Sequence, residues 1–409
     1  MFTRRDFIKT GAALVSLGAG VPRIFRQGLA LADYDASDQP ERTLVVLQLA
    51  GGNDGLNTVI PYADGNYHTL RPALGIAPEK VIRLNDTLGL HPAMTGLKAL
   101  WDQKMVAIVN GVGYPNPNYS HFRAMEIWQS AHPETVPGEG WVGTYLDAQA
   151  AEHNSLIGLN IGASTPPEFY SALPPVPSFQ RPQDYQLRPG SDPAAQNKQR
   201  DTSVLQLYEL LPGEAKYGAL LQGTVEDSFD SSQKLTGIVN DYKTTVQYPQ
   251  SGLANGLKMI AAVLAANVGL RVAHVTIGGF DTHSRQANTQ ETLLQQLSDG
   301  LAAFYQDLAQ HNRAQNTVTM TWSEFGRRAG QNASDGTDHG SAAPLFVVGG
   351  PVKGGFYGDY PSLANLDAGN LRFTTDFRAV YATLLDRWLQ ADADALLGAH
   401  FDRLGFLAA

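Results

Sequence analysis

Apolar positions along this chain fall into short unbroken runs, separated by longer stretches of helical periodicity. Thr43–Ala50 (TLVVLQLA) is one such run, closed by Gly51-Gly52-Asn53-Asp54-Gly55. A run of this kind suits a strand buried on both faces, as in a parallel sheet. Met105–Gly111, Val272–Ile277, Thr317–Trp322 and Leu345–Val348 repeat the pattern. Between them the spacing predicts helices near Pro92–Gln103, Tyr119–Ala131, Gly252–Ala266, Asn288–Gln310 and Asp376–Gln390. This alternation predicts an α/β fold, a mostly parallel sheet with helices on both faces. Seven prolines between Thr165 and Gly190 interrupt it, and polar, poorly periodic sequence continues to about Gln250. The stretch 165–250 reads as an insertion or cap on the main sheet, or as a linker between domains.

The first 32 residues follow a different pattern. Thr3-Arg4-Arg5-Asp6-Phe7-Ile8-Lys9 reads as a twin-arginine motif, and the apolar stretch from Thr10 to Val21 is too short to span a bilayer. Ala30-Leu31-Ala32 then has the small-x-small form of a signal-peptidase site. The expectation is a signal peptide at 1–32 and a mature α/β domain at 33–409. The twin-arginine machinery would export it to the periplasm or beyond, with no membrane span in the mature protein. Cleavage removes five basic residues and one acid, moving the net charge from −9 to −13.

Composition narrows the chemistry. Of the 409 residues 43% are hydrophobic and 17% charged, which is globular rather than disordered. A net charge of −9 argues against nucleic-acid binding. Cysteine is absent, which removes disulfides, zinc–thiolate sites, iron–sulfur clusters and cysteine nucleophiles together. Any transition-metal site must use oxygen and imidazole donors, and 10 His with 39 acidic residues are on hand. There is no G-x-S-x-G elbow, H-E-x-x-H or Walker A loop.

Three of the apolar runs share one punctuation. Thr43–Ala50 is followed by Asn53 and Asp54, Val272–Ile277 by Asp281 and His283, and Thr317–Trp322 by Glu324. In an open parallel sheet the carboxyl ends of the strands face one edge, where ligands bind. Far-separated acids and a histidine would therefore meet there, with oxygen and nitrogen donors suited to Zn, Mn, Fe or Mg. Any one of these acids, read alone, serves as well as a helix N-cap. Asp338-His339-Gly340 reads either as part of the same gathering or as a polar loop.

Ser120, in Asn116-Pro117-Asn118-Tyr119-Ser120-His121-Phe122, sits where a loop enters a predicted helix. Free backbone N–H groups there could hold an anionic ester beside its hydroxyl, and a nearby metal would activate it. The competing reading is a plain helix cap. His121 reads as a ligand, a substrate donor or a packing residue. One of Arg327 and Arg328 would clamp an anion or make surface ion pairs. Trp101, Trp128, Trp141, Trp322 and Trp388 read as core or interface residues.

The leader together with LQLAGGNDGLN, GYPNPNYSHF, GGFDTH, TWSEFGRR and GTDHG resembles a bacterial domain-of-unknown-function family grouped with the alkaline phosphatase/sulfatase clan. The resemblance covers nearly all of the mature chain and implies an alkaline-phosphatase-like fold holding one or two divalent ions (Zn, Mn, Fe, Mg or Ca). It implies Ser120 as nucleophile and Asp54, Asp281, His283, Glu324 and His339 as metal ligands. Substrate-side contacts fall to Asn53, His121 and Arg327. Asp281-Thr282-His283 is spaced more tightly than clan members usually have it, and Glu324-Phe325 stands where they often carry Asp-His. One metal position would then be weak, missing, or rebuilt from Asn53, His121 or Asp338.

The leading expectation is an exported metal-dependent hydrolase acting on a small phosphate or sulfate ester. The alternatives are a non-catalytic binding or assembly protein on the same fold, and a cofactor-free envelope protein.

Overall fold

A computed structural model describes residues 41–149, 154–171, 176–181, 203 and 231–408. The leader expected at 1–32 and the centre of the 165–250 stretch lie outside the described residues.

Thr43–Ala50 forms β1, near the middle of an eight-stranded sheet. The other strands, in chain order, are Val106–Gly113 (β2), Gly158–Ile161 (β3), Val272–Gly278 (β4), Thr317–Trp322 (β5), Ala343–Gly349 (β6), Gly355–Tyr357 (β7) and Thr375–Asp376 (β8). Their spatial order is β7-β2-β6-β5-β1-β4-β3, with β8 also paired to β2. β4 and β5 flank β1 in parallel, Gln48 lying beside Thr276 on one side and Trp322 on the other. β3 on β4, and β7 and β8 on β2, are parallel too. Only β6 runs antiparallel, to both β2 and β5.

The helices that flank the sheet include Thr95–Asp102 (α1), His121–Ser130 (α2), Trp141–Ala148 (α3), Gly252–Ala265 (α4), Gln286–Gln310 (α5) and Phe377–Thr383 (α6). They cover the sheet from both sides, which is why the strands read as unbroken apolar runs. Within β1 successive side chains alternate between faces. Val45, Leu47 and Leu49 join a core with Leu97 of α1, Leu257 of α4 and Leu297 of α5. Leu44 and Val46 join another with Ile127 of α2, Trp141 of α3 and Val380 of α6. Each fully buried Leu or Val contributes about 1.5–3 kcal/mol, so both faces reinforce the same register. Ser251 caps α4 by accepting from Ala254 N, and Asp376 caps α6 by accepting from Arg378 N. Beyond α6 the helix widens over Leu384–Trp388, where Leu389 N donates to Leu384 O at 2.8 Å. Trp128, Trp141, Trp322 and Trp388 are buried in the second core, and Trp101 packs half-buried on Phe356.

Three features differ from the sequence expectation. The Leu345–Val348 run is longer than expected and antiparallel, since a loop of some twenty residues after β5 lets the chain return in either direction. The short strands β3, β7 and β8 were not foreseen. The described ends of the Pro-rich stretch are built into the body: Asn160 N donates to Pro177 O and Phe179 N to Asn160 O. The helical stretch 231–241 places Leu235 in the first core.

Because β2 and β5 are each antiparallel to β6, β2 shares the direction of β5, β1 and β4. The carboxyl ends of all four open on one edge. Antiparallel β6 starts at that same edge, which brings the preceding His339 there. No helix among the described residues is long and apolar enough to cross a membrane.

Candidate metal centre

The turns after β1, β4 and β5 are drawn together by close backbone approach. Gly51 has φ +120°, and a Cβ on it would stand 2.5 Å from Asp281 N, so only glycine fits. Its N–H donates to Glu324 Oε1 at 2.8 Å. Arg327, with no exposed side-chain surface, donates to the carbonyls of Gly51, Gly52, Phe280 and Thr337 and to Asp281 Oδ1 at 2.8 Å. One guanidinium thus ties three loops beneath the edge.

Three imidazoles stand on this base. His121 opens α2, and its Nδ1 lies 2.8 Å from Glu324 Oε1. His339 Nδ1 lies 2.8 Å from the carbonyl of Tyr119, and His283 Nδ1 3.3 Å from Asp338 Oδ1. A carbonyl or a carboxylate can only accept, so each Nδ1 donates; an ion bound at the opposite nitrogen would then take the Nε2 lone pair of the ring. Those Nε2 atoms converge on Asp281. His283 and His339 lie 3.0 and 3.1 Å from its Oδ1, and His121 lies 3.4 Å from its Oδ2. The Nε2 atoms of His283 and His339 are 3.0 Å apart. The buried ring of Phe325 packs against His121 and His339, with centroids 4.9 and 4.3 Å away. Partial burial pushes the Asp281 carboxyl up. Hydrogen bonds from Arg327 and His339, with the charges of Arg327 and His283, outweigh this and hold it at about 2. The hub is therefore a carboxylate.

This donor set fits a divalent ion. Nitrogen and oxygen atoms bound tetrahedrally at about 2.1 Å lie about 3.4 Å from one another, close to the separations seen here. His121, Asp281 and His339 each offer a ligand atom within 4.8 Å of the others, and His283 adjoins two of them. Behind each imidazole stands the acceptor that fixes its tautomer, as at zinc sites generally.

The structure brings Asp281, His283 and His339 together, and His121, read from the sequence as either a ligand or a substrate contact, stands beside them. Glu324 is 1% exposed and sits behind His121, its Oε1 2.8 Å from His121 Nδ1 and turned away from the Nε2 cluster. Asp54 does not reach the cluster: its carboxylate is buried and paired with Arg71. Asn53 also turns inward, its Oδ1 accepting from Thr58 Oγ1 and Gln290 Nε2. Arg327 is wholly engaged and closed to solvent, whereas Arg328 is exposed. Ser120 is exposed at the N-cap of α2, and its hydroxyl makes no capping bond; its own N–H donates to Asn118 Oδ1. Sequence reasoning missed Arg71 and Gln286, which announce themselves by no motif, and the Tyr119 carbonyl, which no side-chain pattern encodes.

The family described as "Protein of unknown function (DUF1501)" matches residues 41–404. No curated protein matches the chain. Among solved structures, the chain is similar to a protein in the alkaline phosphatase superfamily from Vibrio parahaemolyticus, at 9% identity over 96% of this chain and 75% of that one, TM-score 0.39. It is similar to the PsFucS1 sulfatase from Pseudoalteromonas sp. at 12% identity, over 99% of this chain and 76% of that one, TM-score 0.38. A third similar structure is the C-terminal periplasmic domain of EcEptC from Escherichia coli in complex with Zn, at 12% identity over 77% of this chain and 74% of that one, TM-score 0.34. Likeness at this level says nothing of the chemistry at the edge of the sheet, which rests on the distances above.

Proposed function

We propose, from the premise that the chain belongs to the DUF1501 family of proteins of unknown function, that it is an exported metal-dependent hydrolase of phosphate or sulfate esters. The observation that carries this reading is the convergence of three Nδ1-anchored imidazoles on the ionised Asp281. His121, Asp281, His283 and His339 would hold a divalent ion, which when bound supplies positive charge against the ester oxygens and favours ionisation of a nearby hydroxyl. The twin-arginine leader supports export to the periplasm.

Ser120 is the nucleophile in this reading. Its hydroxyl is exposed and free of any capping bond, and it precedes the ligand His121. The first intrahelical bond of α2 is Ala124 N to Ser120 O, so the N–H groups of residues 121–123 point out of the helix end towards an anion. The Ser120 hydroxyl gives its proton to solvent as Oγ bonds to phosphorus or sulfur, the bond to the ester oxygen breaks, and the alcohol leaves with a proton from solvent. Water then cleaves the seryl ester and releases the inorganic anion. Glu324 and Arg327 touch no substrate; they hold His121 and Asp281 in place.

A second reading has one observation in its favour. If all four side chains bind the ion tetrahedrally no position stays open, as in structural rather than catalytic sites. The chain would then be a binding protein.

Metal analysis of protein loaded in turn with Zn, Mn, Fe, Mg and Ca, with turnover measured on aryl phosphates and aryl sulfates, separates the two. Ser120→Ala is expected to keep its metal and lose at least about 10³-fold in kcat, while His339→Ala loses the metal. A protein that takes up no metal, and whose Ser120→Ala variant matches wild type on every ester, would overturn the proposal.

A further inference from the structure

Behind the histidine cluster lies an acid that solvent does not reach. Asp54 and Arg71 have no exposed side-chain surface, and Arg71 Nη1 donates to Asp54 Oδ2 at 2.5 Å. The guanidinium is locked on every side: Nε donates to Ala329 O at 2.9 Å, Nη1 also to Asn57 Oδ1 at 2.9 Å, and Nη2 to Arg328 O at 3.1 Å. Gln286, at the start of α5, also donates to Asp54 Oδ2. Its own carbonyl accepts from Thr282 Oγ1 at 3.1 Å and Thr337 Oγ1 at 2.6 Å, the neighbours of Asp281 and Asp338. The ion pair therefore lies one side chain behind the cluster, linked to it by hydrogen bonds.

The resemblance to a metal-dependent clan allowed two ions, with Asp54 and Glu324 among the ligands. The oxygens are spoken for. Glu324 Oε1 accepts from Gly51 N and His121 Nδ1, and Asn53 Oδ1 accepts from Thr58 and Gln290. Asp54 Oδ1 and the nearby Gln290 Oε1 have no hydrogen-bond partner among the described residues, and two oxygens are too few to hold a divalent ion against a fixed guanidinium. A second cation beside the Arg71 guanidinium would be repelled rather than screened.

We infer that this chain binds one metal ion, and that the Arg71 guanidinium fills from within the chain the place where a second cation would neutralise Asp54. The inference rests on the reading of His121, Asp281, His283 and His339 as a metal centre. It makes Asp54 a structural acid and ties its charge to folding, because removing one partner of so buried a pair strands the charge of the other.

The test is a count of ions on the full chain, by native mass spectrometry and elemental analysis after saturation with zinc and then with manganese. One ion per chain is expected, lost in His339→Ala. The double variant Asp54→Asn/Arg71→Met removes both charges together, and it is expected to bind one ion within about threefold of wild-type affinity. Two ions per chain, one of them lost when Asp54 is changed, overturns this inference and leaves the metal centre standing. No ion at all removes the metal centre and this inference with it. The wild-type count decides the matter even if the double variant does not fold.

Discussion

Glu324 and Asp54 follow their strands in similar ways, yet the fold gives them different tasks. One holds an imidazole at the rim; the other neutralises an arginine below it. Residue identity and strand-end position marked both as acids of this edge. They did not tell which would face outward, because that depends on partners such as Arg71 and Gln286 brought in from distant segments. Asp281, His283 and His339 were legible because Gly-rich turns leave their side chains near the mouth. Another residue pair makes a prediction of its own. Glu168 and His274 are buried on the far side of β4, with Oε1 and Nε2 3.5 Å apart; Asn160 faces the other ring nitrogen and Tyr381 the carboxyl. Burial raises Glu168 to about 8 and lowers His274 to about 3. Folded, the pair keeps one proton, on Glu168, between those values. Unfolded, it holds two protons below about pH 4.5, one from there to about 6.5, and none above. Stability should therefore be level between about 4.5 and 6.5. It should fall by about 1.4 kcal/mol per pH unit from about 6.5 to 8, as the unfolded chain releases the proton that Glu168 retains. Urea titrations across pH 6–9 would show this slope in wild type and its absence in Glu168→Gln; an unchanged slope in the variant would contradict the assignment.

At the scale of elements, α1, α2, α4, α5 and the five long apolar strands were readable from periodicity, because burial on both faces of the sheet leaves little room for polar residues within a strand. The direction of β6 was not readable, since an apolar run carries no arrow. β3, β7 and β8 are too short for a pattern to stand out from loop sequence. The antiparallel return into β6 matters for the site. Gly326–Arg327 and His339–Gly340 form a two-stranded ribbon that sets His339 opposite Arg327. A Cβ on Gly340 would stand 2.3 Å from Arg327 C, a backbone atom that cannot swing aside. Gly340→Ala should therefore displace His339, destabilising the fold by about 1–3 kcal/mol and weakening metal binding at the same time. Denaturant midpoints and metal titration on the same sample check both effects. A stable variant with wild-type affinity would show that the ribbon does not position the ligand.

For the whole molecule, the mixed α/β fold gathers four carboxyl strand ends and one antiparallel amino end at a single edge, and the candidate centre is the product of that topology. The central claim is that the Nε2 atoms and Asp281 are turned inward to hold a cation. Anomalous diffraction at the zinc edge, from crystals of the zinc-saturated protein, tests it most directly. The account predicts one strong peak about 2.0–2.2 Å from the Nε2 atoms of His121 and His339 and from an oxygen of Asp281. A zinc-saturated crystal with well-ordered imidazoles and no peak among them would contradict it.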